Sequence, residues 1–222
     1  MKRTKIIVSY HQPEKIFSNE VFMPIQVGKK NSKYDLGIPG DDTGENISEK
    51  NIFYCELTGL YWAWKNLKDA DYIGLCHYRR CFTIQNVPLS WLVMRRLKNG
   101  YDRLKSVVSP HPIGWEEQLK VPEEEYQSLV DEFSDHIDKI WNQGYEIIVP
   151  KGIHFYLKNV ESHFVSMLGI DLMRKIAEII KDKAPEYNED YQRTLKETKC
   201  FYYANLEVMK SELFNEYCTG EF

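Results

Sequence analysis

Residues 41–80 constrain the fold of this chain more than any other segment, because polar clusters lie at the ends of two apolar elements. An acid-rich loop at 41–48 leads into a stretch with apolar residues at helical spacing. The run Tyr72–Cys76 follows and has the length and composition of a buried strand. It ends abruptly on the sequence His-Tyr-Arg-Arg at 77–80. This order predicts an open α/β sheet, in which ligand sites form beyond the carboxyl ends of the strands.

Apolar runs before and after this segment continue the alternation of strands and helices. Lys5–Tyr10 is predicted to be a buried strand, and Val21–Val27 a second strand that Pro24 places at a sheet edge. Gly28–Gly40 is predicted to be a loop. Ser48 is predicted to cap a helix with an apolar stripe formed by Phe53, Leu57, Leu60, Tyr61 and Trp64.

The second half of the chain is predicted to be mostly helical. The predicted elements are a helix at Trp91–Leu104, a helix from Pro122 to Gly144, a strand at Tyr145–Val149, helices over 158–198 with a break at Pro185, and a helix at Lys210–Tyr217. Because strands and helices alternate, the predicted fold class is α/β.

Composition excludes several classes of function. The formal net charge of −4 and the pI near 5.9 argue against nonspecific binding to nucleic acid. No apolar run reaches the length of a membrane span. The five cysteines are odd in number and contain no C-x-x-C pair, so we expect neither disulfides nor structural zinc. A reducing cytoplasm is the predicted location.

The acidic loop is the first candidate for ligand binding. Its carboxylate, amide and hydroxyl side chains suit the recognition of sugar hydroxyls, and it precedes a helix N-terminus, which itself favours anions. The alternative is a solvated loop that only satisfies the first turn of the helix. The side chains concerned are Asp41, Asp42, Glu45, Asn46, Ser48 and Asn51.

The polar sequence after Tyr72–Cys76 is the second candidate. His77, Arg79 and Arg80 could hold a diphosphate, because arginine binds phosphate oxygens through two parallel hydrogen bonds. His11, at the end of the first strand, could stack on a nucleoside. The alternative is that the arginines form structural ion pairs with Asp41, Asp42 or Glu56.

A literal D-x-D sequence occurs at Asp69–Asp71, but it precedes the strand instead of following it. We interpret it as a turn between helix and strand and not as a metal site. The position of a metal motif after the strand is taken by His77, Tyr78 and Arg79. Cationic side chains there could stabilise a departing diphosphate in place of a metal ion. The sequence therefore predicts no cofactor, and a divalent metal such as Mn²⁺ is the disfavoured alternative.

Two stretches closely resemble the signature of a known family. They read DDTGENISEKNIFYCELTGLYWAWKN and DYIGLCHYRR, and YEIIVPK, PEY, NLEVM and LFNEYC extend the match over nearly the whole chain. The sequence is thereby similar to bacterial glycosyltransferases of capsular and exopolysaccharide biosynthesis, long catalogued as a domain of unknown function.

This resemblance implies a GT-A-like single domain over residues 1–222, with a mixed, mostly parallel sheet flanked by helices and a variable insertion or lid at 86–122. It implies transfer of a hexose from a nucleotide-diphospho-sugar, such as UDP-galactofuranose or UDP-galactopyranose, to a glycan or lipid-linked glycan acceptor. It also implies peripheral contact with the inner face of the inner membrane.

An inverting transfer would need a carboxylate as general base. Asp42 is the preferred candidate, with Asp41 and Glu207 as alternatives, and Glu56 is expected to support the arginines. The predicted donor-binding residues are His11, Asn46, Ser48, Asn51, His77, Tyr78, Arg79, Arg80 and Asn205.

Two other functions remain open from the sequence. One is a noncatalytic module that binds a nucleotide sugar or a glycan. The other is a phosphoester hydrolase with His77 as nucleophile, which would need a second histidine and an acid in the same cleft.

Overall fold

The computed structural model describes residues 2–84, 122–155, 158–202 and 205–222. The chain divides into two compact units, which are described separately. The first contains Met1–Gln85, Lys120–Pro150 and Ala204–Phe222, and the second contains Asn86–Leu119 and Lys151–Tyr203. The predicted helix at Trp91–Leu104 and nearly all of the predicted insertion at 86–122 lie outside the described residues.

Strands are short in both units. Those described are β1 (Thr4–Tyr10), β2 (Phe22–Gln26), β3 (Tyr72–His77), β4 (Ile147–Ile148), β5 (Ile153–His154), β6 (Cys200–Phe201) and β7 (Glu207–Lys210). The described α-helices are α1 (Asn51–Tyr54), α2 (Leu57–Asn66), α3 (Tyr126–Trp141), α4 (Val160–Leu168), α5 (Ile170–Lys183), α6 (Asn188–Gln192) and α7 (Ser211–Glu221). Short 3-10 helices cover Lys29–Asn31, Ser48–Lys50, Glu123–Glu125 and Pro185–Tyr187, and Arg193–Glu197 is a π-helix.

The first unit is built on a five-stranded sheet with the order β2-β1-β3-β7-β4. β1 pairs in parallel with β2 and β3, whereas β7 is antiparallel to both β3 and β4. Every strand except β7 therefore runs in the same direction. Pro24 lies on β2, which is an edge strand as predicted, because proline cannot donate to a ladder on both sides.

Alternate residues of the strands are buried under helices on the two faces of the sheet. On one face, Ile6, Val8 and Cys76 pack with the buried residues of α3, which include Val130 and Phe133. On the opposite face, the buried cluster combines Ile7, Ile25, Ile73 and Leu75 with Leu60 and Ala63 of α2 and with Phe214 and Cys218 of α7. The predicted α/β class, with a mixed, mostly parallel sheet flanked by helices, is confirmed.

The long helix predicted after Ser48 is wrong in two respects. Ser48 is the first residue of a 3-10 helix and does not cap it. The helix also breaks at Cys55, whose backbone φ of 49° is left-handed, so α1 and α2 are separate. As a result Phe53 does not join the buried stripe but is 82% exposed.

Other boundaries are shorter or shifted relative to the prediction. The strand predicted at Tyr145–Val149 is confined to β4. Pro122 precedes the 3-10 helix Glu123–Glu125 instead of starting a helix. In the second unit, the break at Pro185 is confirmed, and Gly169, with φ of 87°, adds another break between α4 and α5.

The second unit has its own small core. β5 and β6 form an antiparallel pair, and the buried cluster comprises Phe155, Val160, Met173 and Leu195. Asn159 caps α4, since its side chain accepts a hydrogen bond from the backbone N–H of Ser162 at 2.9 Å. In the described parts of both units, no helix has the length and apolar character needed to cross a membrane.

Candidate functional site

The candidate site lies in the first unit, at the edge of the sheet where β1, β2 and β3 end. His11 follows β1, Gly28 lies two residues beyond β2, and His77 is the last residue of β3. β7 runs in the opposite direction, with Glu207 paired to Leu75, so the start of β7 reaches the same edge. Every site residue predicted from the sequence belongs to this unit.

A tight turn follows β3 and fixes the cationic sequence. His77 and Arg80 exchange two backbone hydrogen bonds, from His77 N to Arg80 O at 3.0 Å and from Arg80 N to His77 O at 2.7 Å. The guanidinium of exposed Arg79 lies 5.1 Å from the centre of the Tyr78 ring, where a cation–π contact restrains it. The backbone thus presents two arginines from one rigid turn.

The imidazole of His77 is held as a neutral hydrogen-bond donor. Burial, the largest cause, and the charge of Arg79 together lower the pKa of His77 to about 4, and the charge of Glu56 opposes this shift. The backbone N–H of Arg79 donates to His77 Nδ1 at 3.3 Å. In the neutral ring the proton therefore resides on Nε2, which leaves an N–H to offer to a ligand. The His11 ring lies 5.9 Å away, between ring centres.

The buried ring of Tyr78 packs beneath the side chains of His77 and Arg79. Its side chain is only 3% exposed, and its ring stacks on Tyr10 at 5.5 Å and touches His77 at 4.3 Å. The sequence analysis predicted that Tyr78 contacts the donor. Because its ring is buried beneath the His77 and Arg79 side chains, the geometry favours a positioning role instead.

Asp41 is the centre of a buried hydrogen-bond network. Its carboxylate is fully buried and accepts from the backbone N–H groups of Gly28 (2.8 Å) and Lys29 (3.2 Å). It also accepts from the hydroxyls of Ser48 (2.5 Å) and Thr58 (2.6 Å). Each oxygen receives two donors, which fills the lone-pair sites of a carboxylate. This environment favours a structural role over the predicted role of Asp41 as a general base.

The predicted amide and hydroxyl ligands of the loop also turn inward. Asn46 accepts from the backbone N–H of Ser48 at 3.2 Å, and its own amide donates to the carbonyl of Gly44 at 3.0 Å. Asn51 donates to the carbonyl of Cys55 at 2.6 Å and to Thr58 Oγ1 at 3.0 Å. The alternative reading, in which these residues organise the loop, accounts for these contacts.

Asp42 is an exposed acid of the loop. It directly follows Asp41, so the buried network fixes its backbone, yet its side chain is exposed and makes no hydrogen bond or ion pair within the described parts of the chain. Glu207, by contrast, is only 8% exposed at the start of β7. Of the three predicted base candidates, Asp42 alone combines a fixed backbone with an accessible carboxylate.

Glu56 is a member of the site that is predicted only to support the arginines. Its Oε1 accepts from the amide of Asn205 at 3.1 Å, although 149 residues separate the two along the chain. Asn205 has a left-handed backbone with φ of 43°, as does Cys55 with φ of 49°. Left-handed backbone at two residues that are not glycine is costly and is concentrated at functional sites. The position of Glu56 inside the matched signature was the available signal.

No metal site is evident near this edge. Within the described ranges, no three or more His, Cys, Asp or Glu side chains group closely enough to hold a metal ion. Asp71, from the literal D-x-D, accepts the backbone N–H of Arg3 at 2.7 Å, which places it at the opposite edge of the sheet, where β1 and β3 begin. The interpretation of this sequence as a structural turn agrees with that contact. Metal independence stays a prediction.

The fold and site can now be compared with known proteins. A structure titled "WbbM bifunctional glycosytransferase apo structure" matches with a TM-score of 0.72 and 30% sequence identity. The match covers 99% of this chain but only 36% of that chain. The chain described here therefore spans about a third of the length of this relative. No curated protein matches the sequence.

These features define an α/β domain with a glycosyltransferase-like fold, and they confirm the fold that the resemblance implied. The chain belongs to the family described as "Domain of unknown function (DUF4422)", which matches residues 5–222.

Proposed function

We propose that this protein is a glycosyltransferase that moves a hexose from a nucleotide-diphospho-sugar, with UDP as the nucleotide, to a glycan acceptor in capsular or exopolysaccharide synthesis. The observation that carries this proposal is the rigid cationic turn at 77–80. It lies at the carboxyl edge of the sheet beside His11, in a fold shared with a protein titled a glycosyltransferase. The acceptor is a lipid-linked glycan on the cytoplasmic side of the inner membrane.

The turn supplies the groups that a departing diphosphate needs. The guanidinium groups of Arg79 and Arg80 bind phosphate oxygens and offset the negative charge that develops on the leaving group. Neutral His77 adds a hydrogen bond from Nε2–H. His11 stacks on the nucleoside, since its ring is exposed beside His77.

Asp42 is the general base in an inverting transfer. An acceptor hydroxyl oxygen forms the new bond to the anomeric carbon and gives its proton to the Asp42 carboxylate. The bond from the anomeric carbon to the diphosphate breaks, and its electron pair leaves with UDP. Asp41 does not take the proton, because its oxygens are already filled by four donors.

Hydrolysis of phosphoesters by His77 is a weaker reading of the same residues. His11 lies near His77, and the charge of Glu56 acts on the pKa of His77, so the second histidine and the acid are in place. A nucleophilic imidazole needs a free lone pair, however. The lone pair at Nδ1 accepts from the Arg79 backbone, and Nε2 carries the proton.

A thermal-shift titration with UDP and UDP-hexoses, with and without EDTA, tests donor binding. A ligand that binds only the native state raises the melting temperature by mass action. We expect a shift that survives EDTA and that Arg79→Ala weakens by about tenfold in Kd, since a charged hydrogen-bond pair is lost. Arg3→Ala is the matched control, because it removes the same charge at the opposite edge of the sheet, and it should bind UDP normally.

Release of UDP distinguishes the candidate reactions. Acceptor-dependent release of UDP from a UDP-hexose supports the transferase. Binding of UDP without any turnover supports the noncatalytic module, and release of phosphate from simple phosphoesters supports the hydrolase. Absence of any shift with nucleotides, in protein that melts cooperatively, would contradict the proposed function.

A further inference from the structure

Two consecutive large apolar side chains on α1 face solvent. Ile52 and Phe53 are each 82% exposed, whereas the other large exposed hydrophobic residues described are between 36% and 58% exposed. Their neighbours are anchored, since Asn51 is hydrogen-bonded as described above and the Tyr54 ring lies 5.9 Å from that of Phe222. The anchors hold α1 with the Ile52–Phe53 tip pointing outward. Contiguous exposed apolar surface of this kind marks an interaction site.

A lysine-rich segment is fixed beside the Ile52–Phe53 tip. The 3-10 helix Lys29–Asn31 is joined to the 3-10 helix that precedes α1. One link is a bond from Lys30 N to Ser48 Oγ at 3.2 Å, and another is a bond from the Asn31 amide to the carbonyl of Glu49 at 3.1 Å. The two segments therefore form one surface with the tip.

This surface is basic in an acidic protein. Residues 29–35 and 48–54 contain four lysines and two carboxylates, a net charge of +2, while the whole chain carries −4. Lys30 pairs with Glu49 at 2.9 Å, but Lys33 and Lys50 are exposed and form no ion pair in the described part of the chain. Tyr34, 52% exposed, adds an aromatic ring of the type enriched at membrane interfaces.

We propose that this surface docks on an anionic membrane. Ile52 and Phe53 enter the boundary between headgroups and acyl chains, while Lys33 and Lys50 contact lipid phosphates. Binding to a membrane surface requires burial of apolar area and electrostatic attraction to anionic lipids, and an apolar tip flanked by lysines provides both. Docking through this surface would bring the first unit, which carries the candidate site, to the membrane that holds the proposed lipid-linked acceptor. That last step rests on the proposed function, in which the acceptor is lipid-linked.

Co-sedimentation with vesicles of phosphatidylcholine, with and without phosphatidylglycerol, tests the docking. We expect binding that requires phosphatidylglycerol and weakens with salt. Ile52→Ser combined with Phe53→Ser should lower the partition coefficient by about tenfold or more, because two apolar side chains no longer insert. Met167→Ser combined with Leu168→Ser is the matched control: that consecutive pair on α4 is also exposed, at 58% and 45%, and should bind as wild type.

A direct readout comes from Phe53→Trp. Lipids brominated on their acyl chains should quench its added fluorescence if residue 53 inserts. The proposal is overturned if wild-type protein ignores phosphatidylglycerol vesicles, or if the serine variant at Ile52 and Phe53 binds them equally well. It is also overturned if sedimentation velocity shows that this tip drives self-association instead.

Failure of the docking can be separated from failure of the proposed function. Vesicle binding needs no nucleotide, and the UDP thermal shift needs no membrane. The serine variant at Ile52 and Phe53 should keep the melting temperature and the UDP shift of wild type. A UDP shift without vesicle binding would refute the docking alone, and vesicle binding without a UDP shift would refute only the donor assignment.

Discussion

Asp41→Asn tests the structural role of Asp41 apart from the catalytic role proposed for Asp42. An asparagine amide offers one acceptor oxygen, so the two donors that faced the other oxygen meet an N–H group instead. A hydroxyl can rotate and accept, but the backbone N–H of Gly28 or Lys29 cannot. Hydrogen bonds to a charged group contribute about 1.5–3 kcal/mol each, and a buried donor left unsatisfied costs about 1–3 kcal/mol. The free energy of unfolding should therefore fall by about 2–4 kcal/mol.

Urea denaturation measures this change directly, through the midpoint at an unchanged m-value. For a chain of this size the melting temperature should fall by about 4–16 °C. Asp42→Asn is the matched control, because Asp42 is adjacent and exposed and makes no hydrogen bond among the residues that the structure describes. It should stay within about 0.5 kcal/mol of wild type.

The second comparison between Asp41→Asn and Asp42→Asn is their enzymatic turnover. Asp42→Asn should lose acceptor-dependent release of UDP while keeping its stability and its UDP thermal shift, because only the proton acceptor is removed. The reasoning is refuted if Asp41→Asn is as stable as wild type but inactive, since Asp41 would then be the base. Full turnover by Asp42→Asn would equally remove Asp42 from that role.

Three further perturbations test the surroundings of the site. The pKa of His77 is about 4 in the native state against 6.5 in the unfolded state, so the unfolded state binds more protons between these two pH values. The free energy of unfolding should therefore fall as the pH drops from 6.5 towards 4. His77→Gln should flatten this pH dependence, which urea denaturation at each pH would measure. Glu56→Gln should lower the native pKa of His77 further, which an NMR titration of the imidazole would detect, because the Glu56 charge opposes the effect of burial. Gly74→Ala should destabilise the fold by about 2–3 kcal/mol in the same denaturation assay, since a Cβ there would lie 2.4 Å from the backbone oxygen of Glu207 and force β3 and β7 apart.

The elements that the sequence predicted well are those with a clear apolar period. β1, β3 and α3 lie close to their predicted positions and bury their apolar residues, because each is a strand or a helix face of the core. The break between α1 and α2 was missed because Cys55 adopts a left-handed backbone without being glycine or asparagine. The residues around Cys55 fit a helical period, so the sequence alone places Phe53 in the apolar stripe. Only the structure shows that Phe53 faces solvent.

The sequence predicted that the polar residues after β1 and β3 meet at one end of the sheet. It did not predict which of these polar side chains form hydrogen bonds within their own loop. Polar residues after β1 and β3 converge because the two strands are parallel neighbours. The sequence does not show whether an amide or hydroxyl faces a ligand or its own loop. Ser48 and Asn51 are predicted donor-binding residues, and in the structure their side chains form hydrogen bonds within the loop. β7 pairs with β3 in the antiparallel direction, and this pairing brings Asn205, which precedes β7, to Glu56. No local sequence pattern predicts that pairing.

The contrast between Asp41 and Asp42 shows how neighbouring identical residues acquire different chemistry. Asp41 joins Gly28 beyond β2, the 3-10 helix at Ser48 and the start of α2 through Thr58, so its oxygens are already used by the fold. Asp42 takes its backbone position from this network but none of its donors, and it therefore keeps oxygens that can accept a proton. In the proposed transfer, the buried network around Asp41 would fix the backbone of Asp42 and leave the Asp42 carboxylate accessible to an acceptor hydroxyl.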